Sequence, residues 1–448
     1  MKTNFIRKLI IASIVALLAI FTFKVSLNAA YNKHLLIARD NFKHYAIKSI
    51  DVIRESDCIV SVATAPDKEN IIYFITSDGN LYISEDFGKT SFVAYQFKNS
   101  VIVPDSLRKV FMKALPNGYV LAMVRNNFKT YLAFSDDYGK TWKTHVLDVP
   151  VYSMDVSKED PNTIYIGTIS PSHELSENSS IPPRGVLQFN LKNMKLSNYN
   201  LCLFGSRCAP VTLLKTYKTS VYYSLEKGTY LGTIILKNYL HLDDAVILPD
   251  TVFDMVPYEV KGNTEIILAC DKLGILRKNL KDGKVQFLNR AIIKSSLSGQ
   301  GPASYKRSFL EKGLEKINRK YMFQFNKDLF INPVKILLDE KHMLAFLATE
   351  QQGVFVCDLK LKNPVWYSVP EIFNDDKPDT VSLSNPGIQS HLMFYKINSK
   401  PYYNLNVGIT NIEGGPMRIN DMVISHNPYG LLLATDTGLV VLTFENLH

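Results

Sequence analysis

Seven stretches of this chain follow one pattern, and that pattern restricts the fold more than any other feature. Residues 71–84 (IIYFITSDGNLYIS), 220–234 (SVYYSLEKGTYLGTI), 265–280 (EIILACDKLGILRKNL), 342–359 (HMLAFLATEQQGVFVCDL) and 430–444 (GLLLATDTGLVVLTF) each join two apolar strands. Between the strands stand a Thr, Ser or Cys and a few turn residues, usually ending in Gly. A sixth copy opens as TIYIGT at 163–168 and reaches its Gly185 after an insertion rich in Ser and Pro. The seventh, 119–135, keeps both strands and lacks the Gly. Aromatic and β-branched residues suit pleated surfaces, and the 24 Tyr and 24 Phe against 2 Trp carry the same bias.

The turn glycines Gly79, Gly185, Gly228, Gly274, Gly353 and Gly438 mark the period. A further apolar strand precedes several copies, at 151–157 (VYSMDVS), 252–258 (VFDMVPY), 334–340 (VKILLDE) and 419–425 (INDMVIS). A period of about 45 residues with about four strands per unit is the mark of a β-propeller blade. One small sheet cannot bury both faces alone, whereas neighbours stacked around an axis cover them. The expected fold class is therefore all-β: a β-propeller of seven four-stranded blades, with six or eight as the neighbouring counts. The last copy ends the chain after a third strand. Residues 44–53 (HYAIKSIDVI) alternate like a strand and can supply the fourth, joining both ends of the chain in one blade.

Two insertions break the rhythm. Residues 291–330 hold Phe309, Leu314 and Ile317 at an amphipathic helical spacing, and residues 371–417 are rich in Asn, Pro, Gly and Ser. Both are expected to project from one end of the propeller, where long loops on a rigid scaffold carry function.

Residues 135–142 read SDDYGKTW, and residues 84–92 read SEDFGKTSF. The first fits Ser-x-Asp-x-Gly-x-Thr-Trp throughout; the second has Ser91 at the Trp position and Phe92 one residue late. The phrase resembles the Asp box of BNR-repeat propellers: sialidases, sortilin-type receptor ectodomains and the photosystem II assembly-factor family. The residues themselves favour a fastening role. Asp86 and Asp137 can accept hydrogen bonds from turn amides as Asx turns do. Gly88 and Gly139 permit positive φ, and Thr90 and Thr141 can bond back across the hairpin. Trp142 can anchor the turn among the strands, and Ser84 and Ser135 open the two boxes. In families with this box it lies on the blade periphery, and the resemblance implies the same here. The alternative is that Asp136 and Asp137 act as catalytic carboxylates or calcium ligands.

Sialidase activity requires three arginines converging on the substrate carboxylate, because guanidinium forks match that group. The early Phe/Tyr-Arg-Ile-Pro motif of that family is absent, and the candidates Arg54, Arg125, Arg184, Arg277 and Arg418 are scattered. No Gly-rich phosphate loop, HExxH or GxSxG occurs. The histidines are dispersed, and His145 and His342 read as structural neighbours of strands. The acidic stretches HLDD (241–244) and NDDKPD (374–379) read as solvated turns more readily than as cation loops. No catalytic residue, metal site or cofactor is assigned.

At 448 residues the chain has room for two domains or one repetitive fold. The first eight residues, MKTNFIRK, carry three positive charges, and an apolar run follows from Leu9 to Phe23. Residues 1–30 are expected to be a cleaved signal peptide or an uncleaved anchor spanning 9–30, and residues 31–448 the propeller with its two insertions. The expected location of the body is across a membrane: periplasmic, extracellular or lumenal. Of the net charge of +9, Lys2, Arg7, Lys8 and Lys24 supply four. The remainder forms no dense basic cluster interleaved with aromatics, which argues against nucleic acid. Among the five cysteines, Cys202 and Cys208 bracket LFGSR and form a candidate disulfide, while Cys270 and Cys357 lie in apolar runs and read as buried thiols. The expected role is a non-catalytic, exported or membrane-tethered scaffold that binds a protein or glycan on its loop face. The alternative is a sialidase-like glycoside hydrolase.

Overall fold

The computed structural model describes residues 45–54, 57–68, 70–97, 110–126, 129–148, 151–157, 159–168, 185–198, 211–226, 233–237, 246–248, 250–270, 274–288, 291–293, 322–324, 333–349, 353–362, 364–369, 382–383, 418–436 and 438–446. The expected leader (1–30), the Cys202–Cys208 pair, the helical spacing at 309–317, Arg184, HLDD and NDDKPD all lie outside them. Among the described residues no helix is long and apolar enough to cross a membrane.

The strands fall into seven sheets. After β1 (Tyr45–Ile53) comes the sheet of β2 (Ile59–Thr64), β3 (Ile72–Thr76), β4 (Asn80–Ser84) and β5 (Phe92–Gln96). The next holds β6 (Val110–Ala114), β7 (Val120–Asn126), β8 (Lys129–Ser135) and β9 (Lys143–Leu147). Then follow β10 (Val151–Val156), β11 (Thr163–Thr168), β12 (Gly185–Asn190) and β13 (Lys195–Asn198). The fourth sheet is β14 (Val211–Tyr217), β15 (Ser220–Glu226), β16 (Thr233–Lys237) and β17 (Val246–Leu248). The fifth is β18 (Val252–Val260), β19 (Asn263–Cys270), β20 (Ile275–Asn279) and β21 (Val285–Phe287). The sixth adds β22 (Ala291–Ile293) and β23 (Met322–Gln324) to β24 (Pro333–Asp339), β25 (Leu344–Thr349), β26 (Gly353–Asp358) and β27 (Trp366–Ser368). The seventh joins β28 (Ser382–Leu383), β29 (Ile419–His426), β30 (Tyr429–Thr435) and β31 (Gly438–Asn446) with β1.

That seventh sheet is the closure expected from residues 44–53. β1 pairs antiparallel with β31 from Tyr45↔Asn446 to Ile53↔Leu439, so the two ends of the described chain share one sheet. The innermost strands touch in the order β2, β6, β10, β14, β18, β24, β29, and β29 returns to β2.

Stacking explains why the buried runs of the second strands, such as Ile72–Ile75 and Ile266–Ala269, are apolar at consecutive positions. On β3, Ile72 and Phe74 pack against Leu432 and Val441 of the β29 sheet, whereas Tyr73 and Ile75 pack against Val120 and Ala122 of the β6 sheet. On β19, Ile266 and Leu268 face the β14 sheet, and Ile267 and Ala269 face the β24 sheet. A strand buried on both faces loses the alternation of a half-buried one. The recurrent Thr at the strand end has its own reason: Thr76, Thr349 and Thr435 donate Oγ1 to the carbonyls of Asn80, Gly353 and Gly438 across the turn.

Both insertions have described residues within the sheets. Each sends strands to the rim: β22 pairs parallel with β27, and β28 pairs parallel with β1. An outer strand carries unpaired backbone groups, and adding a strand satisfies them. The described parts of both insertions therefore cover outer edges.

Candidate functional site at the ring axis

Each of the apolar innermost strands β6, β10, β14, β18, β24 and β29 carries one charged residue that meets the next strand of the ring. Lys113 of β6 binds Asp155 of β10 and donates to the Val156 carbonyl at 2.8 Å. Lys215 of β14 lies 2.8 Å from Asp254 of β18, and Lys335 of β24 lies 3.1 Å from Asp421 of β29. The three carboxylates also grip backbone. Asp155 Oδ2 accepts from the amide of Thr216 at 2.7 Å and its hydroxyl at 3.0 Å. Asp254 Oδ2 accepts from the amide of Ile336 at 2.9 Å. Asp421 Oδ2 accepts from Ser61 Oγ at 2.8 Å and from the amide of Val62 at 3.3 Å. Each aspartate thus ties its own sheet to the innermost strand of another.

Sequence and local geometry both place these groups. Six of the seven inner strands carry a register irregularity near the start, at Ile59/Ser61, Val151/Ser153, Val211/Leu213, Val252/Asp254, Pro333/Lys335 and Ile419/Asp421. A bulge twists the strand and re-aims the residue beyond it; Ser61, Asp254, Lys335 and Asp421 stand at that place. Charge alternates around the axis, and an odd ring cannot alternate throughout. The neutral position is Ser61, between Asp421 and the β6 strand that carries Lys113.

The electrostatics follow the geometry. Burial opposes the charged form of Asp155, but the Lys113 and Lys215 ammoniums outweigh it and hold the carboxyl below the usual aspartate range. For Lys335 burial opposes the ammonium, and Asp421 and Asp254 more than offset this, so its pKa rises above the ordinary lysine value. The arrangement holds charge in place.

The two Asp-box phrases occupy the turns between β4 and β5 and between β8 and β9. In the second, Ser135 Oγ donates to Asp137 Oδ1 at 2.7 Å and accepts from the Gly139 amide at 2.8 Å. Asp137 accepts from the Thr141 amide at 2.9 Å and from the Thr141 hydroxyl at 2.6 Å. The first repeats these bonds: Ser84 to Asp86 at 2.9 Å, Gly88 amide to Ser84 at 2.6 Å, and Thr90 to Asp86 at 2.8 and 2.7 Å. Slight burial opposes the Asp137 carboxylate, yet the donors from Thr141 and Ser135 lower its pKa to about 2. Both turns use two consecutive left-handed residues, Phe87 and Gly88 (φ 57° and 95°) and Tyr138 and Gly139 (φ 62° and 85°). Trp142 packs with the cluster of Tyr73, Ile83 and Tyr95 in the neighbouring β2 sheet, its ring 6.0 Å from that of Tyr95. Asp136 pairs with Lys143 at 3.0 Å.

The remaining candidates are placed apart. Arg54 bonds Asp57 at 2.7 Å and lies over Tyr82; Arg125 lies 3.8 Å over Tyr152; Arg277 engages Gln286 beside Glu265. The Arg418 backbone amide donates to Asp436 Oδ1 at 3.1 Å. The side chains of Arg54, Arg125 and Arg277 therefore each serve a local contact. His145 stacks on Phe189, and His342 Nδ1 lies 2.6 Å from Asp339, which also accepts from the Tyr429 hydroxyl at 2.6 Å. Cys270 and Cys357 are buried, as their apolar context suggests, and burial pushes the Cys357 thiol up.

No protein-family model matches the chain, and no curated relative matches it. Solved structures do. The WD40 domain of Neurospora crassa Pan2 is 9% identical over 90% of this chain and 96% of its own, with a TM-score of 0.47. YCF48 bound to D1 peptide is 7% identical over 89% and 97%, also at 0.47. Saccharomyces cerevisiae Sqt1 is 10% identical over 89% and 99%, at 0.49.

By fold, the chain is a β-propeller. The distant likeness adds nothing on what this propeller binds, and its own axis and turns carry the functional argument.

Proposed function

We propose that this chain is a non-catalytic, seven-bladed propeller of the Asp-box type that acts as a binding or assembly scaffold for a protein partner. Seven sheets with inner strands touching in sequence support the blade count. The observation that carries the non-catalytic reading is the engagement of the axial acids. Asp155, Asp254 and Asp421 each hold a lysine with one oxygen and a neighbouring strand's amide with the other. A glycosidase acid needs a raised pKa so that a proton is available near neutrality; the Asp155 carboxyl is shifted the opposite way. The saturated bonds of Asp86 and Asp137 favour fastening of the turn as the task of the box residues. The basic flank and apolar run of residues 1–30 favour an exported or tethered body. The test is a glycosidase screen of the full-length protein beside crosslinking in its native envelope. The reading expects a stoichiometric protein partner and no glycoside turnover. Turnover abolished by Asp254→Asn in a folded protein overturns it.

A further inference from the structure

The β20–β21 hairpin carries exposed apolar side chains beside a lysine-bearing turn. Val285 and Phe287 on the outer strand are 46% and 56% exposed, whereas Gln286 between them turns inward to Arg277. Lys281 and Lys284 flank them in the turn, and the Lys284 side chain is 84% exposed. Gln286 Nε2 reaches the Lys362 carbonyl of the neighbouring sheet at 3.4 Å, bringing the exposed Lys360 and Lys362 turn alongside. Two acids lie nearby and both serve their own turns. Asp282 accepts from the Lys284 amide at 3.0 Å and pairs with the exposed Lys284 ammonium at 3.0 Å, a surface pair that a lipid phosphate can replace; Asp358 accepts from the Lys360 amide at 2.8 Å.

We propose that this tip docks on the surface of an anionic lipid bilayer, with Val285 and Phe287 entering the headgroup boundary and the four lysines meeting lipid phosphates. Apolar side chains ringed by lysine suit an interface that is apolar below and anionic above. Each lysine near such a surface strengthens attachment by about fivefold. An acidic protein surface would use the lysines and leave Phe287 in water. The apolar run Leu9–Phe23 belongs to the class of segments that enter membranes, which puts a bilayer within reach of the same chain. The inference rests on the tip and on that apolar run, and stands whether or not the axis is catalytic.

The test uses the full-length chain carrying Phe287→Trp, reconstituted in vesicles of brominated phosphatidylglycerol or brominated phosphatidylcholine. Any contact of the leader is common to both. The expected result is that the emission added by the substitution is quenched in phosphatidylglycerol and not in phosphatidylcholine. Lys281→Glu with Lys284→Glu should abolish the quenching. Val285→Trp is the second probe should Phe287→Trp fold poorly. Added emission that stays unquenched in phosphatidylglycerol overturns the proposal, and that result includes the case of an acidic polypeptide as occupant. Equal quenching in both lipids overturns the anionic requirement and with it the proposal.

Discussion

Lys215 Nζ lies 2.8 Å from Asp254 Oδ1, across the junction between two neighbouring sheets. The aspartate side chain is 4% exposed and the lysine 22%, so the pair is largely withdrawn from water. Breaking one partner of a buried pair leaves an uncompensated charge, whereas replacing both by apolar groups of similar volume is often neutral. Asp254→Ala should therefore cost about 3–5 kcal/mol. Lys215→Met combined with Asp254→Leu should recover the part of that loss due to the unpaired ammonium, while the Ile336 amide stays without its acceptor. Urea unfolding of the single and double variants measures the difference, and strictly additive losses would contradict the pairing.

Asp155 sets the acid limit of the ring. Its folded pKa lies below the unfolded value of about 3.9, so its contribution is fully present above that pH. It is lost as pH falls through the folded pKa. Lys335 acts in the opposite sense: its contribution is fully present below about pH 10.4 and fades only as pH rises through the raised folded value. Unfolding measured against pH should show Asp155→Asn flattening the acid limb and leaving the alkaline side unchanged.

Ser61 stands where a seven-membered alternation must fail. Its hydroxyl donates to Asp421 at 2.8 Å, and its residue is 2% exposed. Ser61→Ala removes a hydrogen bond to a charged group, a loss of about 1.5–3 kcal/mol. Ser61→Asp sets a second carboxylate against Asp421 and should be worse. A Ser61→Asp protein as stable as the native one in urea would remove Ser61 from the network.

Gly139 separates backbone strain from packing. It has φ +85°, and an added Cβ would lie 2.3 Å from Ile83 Cδ1. Gly262 shares the conformation, φ +77°, with nothing within 4 Å. Both alanine substitutions meet the left-handed penalty of about 1–2 kcal/mol. Only Gly139→Ala also pushes on the neighbouring sheet, so its melting temperature should fall further. Equal losses at the two sites would mean the turn does not dock on Ile83.

Much of this fold was legible because it rests on short-range devices. The strand-end Thr, the turn Gly and the two boxes recur in sequence, and each makes a bond within a few residues. The closing strand was legible from the alternation of residues 44–53. The axis was harder. Asp155, Asp254, Lys335 and Asp421 each stand between apolar or neutral neighbours in their strands, and their charged partners are about 40–90 residues away in the chain. A lone charge in a buried strand demands a partner, and that was the available signal; one strand cannot say which other strand supplies it. The rim strands β22 and β28 were missed because two or three residues inside a long insertion carry no period.

The most direct test of the axial account is amide hydrogen exchange at Thr216, Ile336 and Val62, the three donors held by Asp155, Asp254 and Asp421. The account predicts slow exchange at all three in the native protein. Asp254→Ala should selectively speed Ile336 while Thr216 and Val62 stay slow. Fast exchange of Ile336 in the native protein, or no change on substitution, would contradict it.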